Sequence, residues 1–309
     1  MSTLHQRAFT VTVIWTLLLL FLGSVVHATE SSLACPDWPT CFGTMVPEMS
    51  GGVFWEHLHR LVAGGLLLMW GLTTWLVRKE TSDRPWIFKA CIAGLVLLLI
   101  QSAFGGLTVL YQLPDLVSTT HLSLALLFLC LATALASWSS WARGAGPVSP
   151  DTAAGVRKWG GAAVVLVFMQ CVLGGLVRHM DAGMACPDAP LCLGAVVPPL
   201  DNALITVHFT HRVIGILAAV AVVGLATWAM RAEAPKAVRS WASWAAVLTL
   251  VQVGLGFVSV LTTLAVIPVS LHTLVAAMLL VALVAIATFG GRAADIASTS
   301  QHSSASTGG

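Results

Sequence analysis

Eight runs of mostly apolar residues alternate with short polar segments along the chain. A helix needs about 20 apolar residues to span the hydrocarbon core of a bilayer, and each run is close to that length. The pattern therefore predicts eight transmembrane helices and an all-α polytopic membrane protein. The predicted helices cover residues 9–26, 56–77, 88–109, 118–138, 159–177, 207–230, 242–261 and 268–289.

The eight predicted helices form two similar sets of four. The polar landmarks of the first set recur in the second at an offset of 151 residues, or 152 after a one-residue insertion: Cys35 and Cys186, Cys41 and Cys192, Gln101 and Gln252, His121 and His272, and His59 and His211. An even number of helices per set gives both copies the same orientation. The repeat therefore predicts two parallel four-helix bundles related by a pseudo-twofold axis along the membrane normal.

The repeat divides the chain into an N-terminal half (1–145), a C-terminal half (146–291) and a tail (292–309) that is rich in Ser, Ala and Thr. Residues 141–157, rich in Gly, Pro and Ser, are predicted to link the halves. Such a polar tail cannot bury enough apolar surface to fold, so we expect it to be disordered and cytoplasmic.

Composition agrees with a membrane protein, because 57% of the residues are hydrophobic and 9% are charged. Soluble domains contain about 25% charged residues, which argues against a large soluble helical protein. Only Arg60, Arg178 and Arg212, of 15 basic residues, lie outside the predicted inner segments when the N-terminus is placed inside. The positive-inside rule then predicts a cell-membrane protein with both termini cytoplasmic and both cysteine loops extracytoplasmic. We expect no nucleic-acid partner.

Four histidines lie near the outer ends of the even-numbered helices: His59, His121, His211 and His272. A single histidine there is more often an interfacial residue. Two per repeat at equivalent positions suit bis-histidine haem ligation across a bundle. Zinc is the competing interpretation, but it prefers three or four close nitrogen and sulfur ligands.

Arg60 and Arg212 directly follow two of these histidines. A guanidinium there can pair with a haem propionate. Ordinary snorkelling of a long side chain to the interface is the alternative.

Glu56 precedes His59 by three residues and so lies on the same helix face. A solvated interfacial carboxylate is the alternative interpretation. His208 stands at the equivalent place in the second repeat. One carboxylate for two sites suggests that one site performs chemistry while the other carries electrons. His57 is turned about 100° from this face, and we expect it to be interfacial.

Two loops each contain a Cys-x5-Cys pair, Cys35/Cys41 and Cys186/Cys192. In an oxidising compartment each pair is expected to form a disulfide. Both a structural staple and a redox-active pair remain open, so Cys35 and Cys41 are also candidate catalytic residues. Gln101, Gln170 and Gln252, which have glycines nearby, are interpreted as helix-packing residues.

The chain resembles the heme A synthase family over about residues 8–290. The motifs that carry the resemblance are Glu56-x-x-His59-Arg60, Ala34-Cys35-Pro-Asp-Trp-Pro-x-Cys41-x-Gly43, Gly105-Gly106-Leu-Thr-Val, Thr120-His121, the Cys186/Cys192 loop, Thr210-His211-Arg212 and Leu271-His272. The resemblance implies oxidation of the C8 methyl group of haem O to a formyl group, with water as the oxygen source. The product would be haem A for cytochrome c oxidase.

The resemblance also implies how the two halves divide the work. His59 and His121 would hold the substrate haem O, and His211 and His272 would be the axial ligands of a haem B cofactor. Glu56 would stabilise positive charge at the reacting methyl carbon or capture that carbon covalently.

Haem O synthase and cytochrome c oxidase assembly factors are candidate partners, besides membrane lipid, and a homo-oligomer is left open. Two rival functions remain at this point. One is a haem-containing membrane thiol or quinone oxidoreductase, and the other is a non-enzymatic haem transporter built on parallel repeats.

Overall fold

The computed structural model describes the backbone of residues 3–78, 84–141 and 148–306, and the side chains of residues 3–78, 84–140 and 148–291. These parts of the chain form eight long α-helices, with no β-strand. The helices are α1 (Thr3–Ala28), α2 (Gly51–Val77), α3 (Pro85–Leu110), α4 (Asp115–Trp141), α5 (Pro150–His179), α6 (Ala203–Arg231), α7 (Lys236–Leu261) and α8 (Val266–Ser306). Each is long and apolar enough to cross a membrane, α8 through Val266–Gly291. The predicted fold class is confirmed.

Helix α5 begins nine residues earlier than the hydrophobic pattern predicted, at Pro150. Proline fits the first helical position because its missing N–H would have no partner there. Ser149 caps the helix by accepting a hydrogen bond from the Thr152 backbone N–H at 3.2 Å. Residues 150–157 are therefore helix and not linker, which corrects the prediction. Residues 142–147, which include the predicted boundary at 145/146, lie outside the described residues.

The backbone of α8 stays helical to Ser306, where the sequence predicted a disordered tail from residue 292. Extending an existing helix is easier than starting one, and the first residues of this segment are rich in alanine. Residues 307–309 of the predicted tail lie outside the described backbone.

The helices of each half pack as a closed ring. Helix α1 contacts α2, α2 contacts α3, α3 contacts α4, and α4 returns to α1; the same pattern joins α5 to α8. The halves meet through α1 with α8, α4 with α5, and α4 with α8. Exchanging the halves leaves this set of contacts unchanged, which is consistent with a pseudo-twofold axis. In each ring the even-numbered helices stand at opposite corners.

Trp70 fills the centre of the N-terminal ring away from the cysteine loop and is fully buried. Its ring packs edge-on against Phe128 with centroids 5.0 Å apart, and against Phe9 at 5.8 Å. Its indole N–H donates to the carbonyl of Cys91 at 2.9 Å. A buried indole needs such a partner because the apolar interior offers no water. This core fixes the helices that carry His59 and His121.

Candidate functional site

Each of the four predicted ligand histidines rests on a glycine of the preceding odd-numbered helix. A methyl group added to Gly23 would lie 3.1 Å from Cε1 of His59. The other pairs repeat this contact: Gly105 with His121 at 3.0 Å, Gly174 with His211 at 2.9 Å, and Gly256 with His272 at 3.2 Å. A larger residue would push the ring away, so these glycines set how deep each imidazole sits.

The structure brings the histidines together in two pairs, one in each ring. The ring of His59 on α2 lies within electrostatic range of the ring of His121 on α4. In the other half, the ring of His211 on α6 lies within the same range of the ring of His272 on α8. Because these helices stand at opposite corners, each pair faces across its bundle. Two imidazoles in that arrangement can take a metal centre between them.

Two histidines have a ring tautomer fixed by a neighbouring backbone. Nδ1 of His121 lies 3.0 Å from the carbonyl of Gln101, and Nδ1 of His272 lies 3.1 Å from the carbonyl of Gln252. A carbonyl only accepts, so Nδ1 carries the proton in both rings. The other nitrogen, Nε2, is then unprotonated and is the atom that could bind an iron ion.

The side-chain amides of the same two glutamines point at these Nε2 atoms. Nε2 of Gln101 lies 3.4 Å from Nε2 of His121, and the corresponding distance from Gln252 to His272 is 3.2 Å. An amide N–H that donates to Nε2 agrees with the tautomer set by the carbonyls. The glutamines therefore contact the candidate ligands directly, and the interpretation as general helix-packing residues was incomplete.

Glu56 is buried, with 4% of its surface exposed, so the interpretation as a solvated interfacial carboxylate is wrong. Oε2 accepts a hydrogen bond from the backbone N–H of Cys35 at 2.7 Å. Oε1 lies 2.5 Å from Nη2 of Arg60, one helical turn away. Both oxygens are thus held, one by the cysteine loop and one by the guanidinium.

Arg60 also holds the first cysteine loop. Its Nη1 donates to the carbonyls of Asp37 at 2.7 Å and Thr40 at 2.5 Å, and its Nη2 donates to the carbonyl of Cys35 at 3.3 Å. The planar fork of a guanidinium suits several carbonyls at once. Contact of this residue with a haem propionate remains a prediction.

Arg212 repeats this arrangement in the second half. Nη1 donates to the carbonyls of Asp188 at 2.9 Å and Leu191 at 2.6 Å, and Nη2 donates to the carbonyl of Cys186 at 2.6 Å. His208, which replaces Glu56, bonds through Nδ1 to the carbonyl of Ala182 at 2.8 Å. The two arginines therefore hold the loops alike, but His208 stands in the second half where Glu56 binds the loop backbone in the first.

Both predicted cysteine pairs are bonded in the structure, Cys35 to Cys41 and Cys186 to Cys192. Within the first loop, Asp37 accepts hydrogen bonds from the hydroxyl of Thr40 and from the N–H groups of Gly43 and Phe42. These bonds, that of Thr40 above all, hold the pKa of the Asp37 carboxyl below its ordinary value.

The second loop contains the same turn. Asp188 accepts from the backbone N–H groups of Leu193 and Gly194, each at 2.7 Å. The hydrogen bond from Gly194 is the main reason why the pKa of Asp188 is lowered. Gly194 adopts a positive φ of 74°, a conformation that favours glycine.

His57 was expected to be interfacial, and the structure corrects this, because only 2% of its surface is exposed. It packs under the first loop, with a ring nitrogen and the sulfurs of Cys35 and Cys41 within 4.8 Å of one another. The two sulfurs are bonded to each other, so they do not form a zinc site with it. Its Nε2 lies 3.1 Å from the carbonyl of Met45. At the equivalent position the second half has Phe209.

A further polar cluster joins the two halves, and sequence reasoning missed it. The rings of His27 on α1 and His179 on α5 stack with centroids 5.2 Å apart. The hydroxyl of Thr119 on α4 lies 3.1 Å from Nδ1 of His179, and Arg178 donates to the carbonyl of His27 at 3.0 Å. The sequence contains one sign of this cluster: His27 and Arg178 occupy equivalent positions in the repeat, and both are polar residues at helix ends.

Comparisons of the sequence with known proteins all point to the same family. The sequence model of COX15-CtaA, described as cytochrome oxidase assembly protein, matches residues 6–284. A protein named heme A synthase from Symbiobacterium thermophilum is 32% identical over 266 residues, which cover 80% of this chain and 85% of that protein. A heme A synthase from Halalkalibacterium halodurans is 28% identical over 278 residues, covering 87% and 91%. One from Shewanella oneidensis is 28% identical over 254 residues, covering 68% and 74%.

Proposed function

The chain belongs to the COX15-CtaA family of cytochrome oxidase assembly proteins, and on that premise we propose that it is a membrane-bound heme A synthase. It oxidises the C8 methyl group of haem O to a formyl group, through hydroxylated intermediates and with water as the source of oxygen, and the electrons and protons released pass to an electron acceptor outside the chain. Similarity to heme A synthases over most of both chains supports an oxidoreductase.

The observation that carries this proposal is the duplication of one histidine pair in two rings. Both histidine pairs face across a four-helix bundle, and each of the four imidazole rings rests on a glycine. Nε2 is the acceptor atom in His121 and His272, as an iron ligand requires.

The halves divide into a substrate site and a cofactor site. In the N-terminal half (1–145), His59 and His121 bind the iron of the substrate haem O. In the C-terminal half (146–291), His211 and His272 would hold the iron of a haem B cofactor. His211 and His272 fit that cofactor because their imidazole rings come from opposite corners of the ring of helices α5–α8, and each rests on a glycine. Haem B, when bound, supplies one-electron redox chemistry.

Glu56 is the catalytic carboxylate of the substrate half. Arg60 and the Cys35 N–H hold its two oxygens in place before substrate arrives. A carboxylate that is already oriented stabilises positive charge without reorganising during the reaction. Because both oxygens are engaged, this electrostatic role fits better than covalent capture, which would require one oxygen to leave its partner.

The Cys35–Cys41 disulfide acts as a positioning element in this proposal. It closes the loop whose backbone N–H binds Glu56 and whose carbonyls bind Arg60. Loss of the disulfide would therefore displace the carboxylate. The Cys186–Cys192 disulfide closes an equivalent loop that binds Arg212 but no carboxylate.

We further propose that the protein lies in the cell membrane with both termini cytoplasmic and both cysteine loops extracytoplasmic. The distribution of Arg and Lys supports this orientation. Haem O synthase and cytochrome c oxidase assembly factors are the partners that the chemistry calls for, one to supply the substrate and the other to use the product.

Mass spectrometry of extracted haem tests the function. The protein is expressed with and without a co-expressed source of haem O, in cells that lack their own heme A synthase. Haem A or its hydroxylated precursor should appear only when both protein and haem O are present. Bound haem that always keeps its C8 methyl group would instead indicate a transporter.

A further inference from the structure

The first cysteine loop contacts two neighbouring helices through consecutive residues. The carbonyl of Asp37 accepts a hydrogen bond from Arg60 on α2 at 2.7 Å. The next residue, Trp38, places its indole ring against Gly106 on α3. The loop therefore reaches from α2 to α3 and is held on both sides.

We propose that Trp38 is a positioning residue that ties the loop to α3 and thereby fixes the carboxylate of Glu56 relative to His121. On the α2 side, the loop binds one oxygen of that carboxylate through a backbone N–H at 2.7 Å. On the α3 side, Gly106 directly follows Gly105, on which the ring of His121 rests. The inference rests on the proposed function, because it concerns the carboxylate and the haem ligand assigned there.

The contact between Trp38 and Gly106 requires a glycine. A methyl group at position 106 would lie 2.8 Å from Cδ2, 2.9 Å from Cε3 and 3.1 Å from Cε2 of the indole. These atoms belong to the rigid fused ring system, so relief of the overlap would require the whole ring to move. The indole therefore lies directly on the backbone of α3, and the fit is as close as in a packed protein core.

The second half lacks this anchor. Arg212 binds the carbonyl of Asp188 at 2.9 Å, but the next residue is Ala189. Phe257 stands at the position equivalent to Gly106. Ala189 has no ring to place on α7, and Phe257 offers no bare backbone to receive one. The tryptophan and its glycine thus occur together in the half that has the carboxylate, and neither occurs in the half where a histidine replaces it.

An anchor on α3 adds a constraint that the other supports of the carboxylate do not give. Glu56 and Arg60 both belong to α2, so their bonds to the loop fix it relative to that helix. His121 belongs to α4 and rests on α3. Trp38 connects the loop with the helix that seats this ligand. A misplacement of about 1 Å between reacting groups can cost about 10²-fold in rate.

The test removes the anchor in two independent ways. Trp38→Ala deletes the indole, and Gly106→Ala pushes it away. Each should lower kcat for haem A formation by about 10- to 100-fold, while the KM for haem O and the haem B content stay close to wild type. Isolated membranes, which retain the electron acceptor, are supplied with increasing haem O, and haem A is quantified per amount of protein.

Two combined measurements identify the contact as the cause. Gly106→Ala in the Trp38→Ala background should add little further loss, because the methyl group then has no ring to displace. Trp38→Phe keeps a flat ring and should recover part of the activity. Trp244→Ala, which removes a tryptophan that is 61% exposed on α7, is the matched control and should leave kcat unchanged.

Several results would overturn the anchor. They are an unchanged kcat in both single variants, a raised KM with unchanged kcat, fully additive losses in the double variant, and an equal loss in Trp244→Ala. If Trp38→Ala is not recovered in membranes, wild-type kcat in Gly106→Ala overturns the inference by itself.

The wild-type protein distinguishes failure of this inference from failure of the proposed function. If wild-type membranes form no haem A from supplied haem O, the proposed function is wrong. If they form haem A and the Trp38 and Gly106 variants keep the wild-type kcat, only the anchor is wrong.

Discussion

The carboxylate of Glu56 lies 2.5 Å from the guanidinium of Arg60, one turn further along α2. The pair does not stand alone, because the Cys35 N–H holds the second carboxylate oxygen and Arg60 holds three carbonyls of the same loop. The first cysteine loop and the proposed catalytic group therefore form one unit.

Replacing Glu56 by Gln should stop the reaction without removing the cofactor. The amide keeps the shape of the side chain and one acceptor for the Cys35 N–H, but it removes the negative charge that faces Arg60. Losing one preorganised electrostatic group typically costs about 10²–10³ in rate. We expect the variant to be expressed, to retain haem B, and to accumulate haem O or a partly oxidised haem in extracts.

His208→Gln is the matched control, since it changes the equivalent residue of the other half. It should leave more activity than Glu56→Gln, because no charge is lost beside the substrate. Near-normal haem A production by Glu56→Gln would contradict the catalytic role proposed for the carboxylate.

Substitution of Arg60 should loosen the first cysteine loop. Arg60→Ala removes three hydrogen bonds, to the carbonyls of Asp37, Thr40 and Cys35. Since each contributes about 1 kcal/mol, amide hydrogen exchange over residues 35–44 should accelerate at least about tenfold. Lysine should not restore protection, because an ammonium group lacks the planar fork. Arg212→Ala should accelerate exchange over residues 186–195 instead; acceleration of the first loop by that variant would contradict the assignment.

Substitutions of the four histidines should affect the two haems separately, according to the half in which each histidine lies. His211→Ala or His272→Ala should lower the haem B content of the purified protein, because each removes a proposed ligand of that haem. His59→Ala or His121→Ala should leave haem B bound while haem O is lost. Absorption spectra and pigment extracts measure both, and a haem B content that follows His59 instead of His211 would reverse the assignment of the halves.

The turns in both loops should weaken in acid. The hydrogen bonds to Asp37 and Asp188 lower the pKa of each carboxyl from its ordinary value of 3.8, so they favour the folded loop when the carboxyl is ionised. This contribution is fully present above pH 3.8 and is lost as the pH falls through the lowered folded value. Exchange protection at Gly43 and Gly194 should fall in that range, and Asp37→Asn should abolish the pH dependence at Gly43 alone.

The orientation in the membrane can be tested with engineered thiols at exposed positions. The loop cysteines are buried, whereas Val46 and Val196 are 84% and 79% exposed. Val46→Cys and Val196→Cys should react with a membrane-impermeant thiol reagent added to intact cells. Glu233→Cys, in the link between α6 and α7, should react only after the membrane is opened; the opposite pattern would reverse the proposed topology.

The eight helices, the repeat and the four histidines could be predicted from the sequence. Spanning a bilayer requires a continuous apolar run, which is a local property, and a repeat is visible as a constant offset. Helix ends were less predictable, because α5 begins at a proline and a serine cap ahead of its apolar run. The spacing of three residues places Glu56 one helical turn before His59, but it did not reveal that the carboxylate is buried and paired with Arg60.

Only the tertiary structure decided what each polar side chain contacts. Arg60 binds residues 20–25 positions earlier, Gln170 reaches His211 across 41 residues, and Arg178 reaches His27 across 151. Such partners depend on which helices are neighbours and on how deep each side chain lies in the bundle. A hydrophobic pattern contains no information on either. The pattern specifies which face of a helix is apolar, whereas the nitrogen that donates and the oxygen that accepts are fixed only when the helices pack.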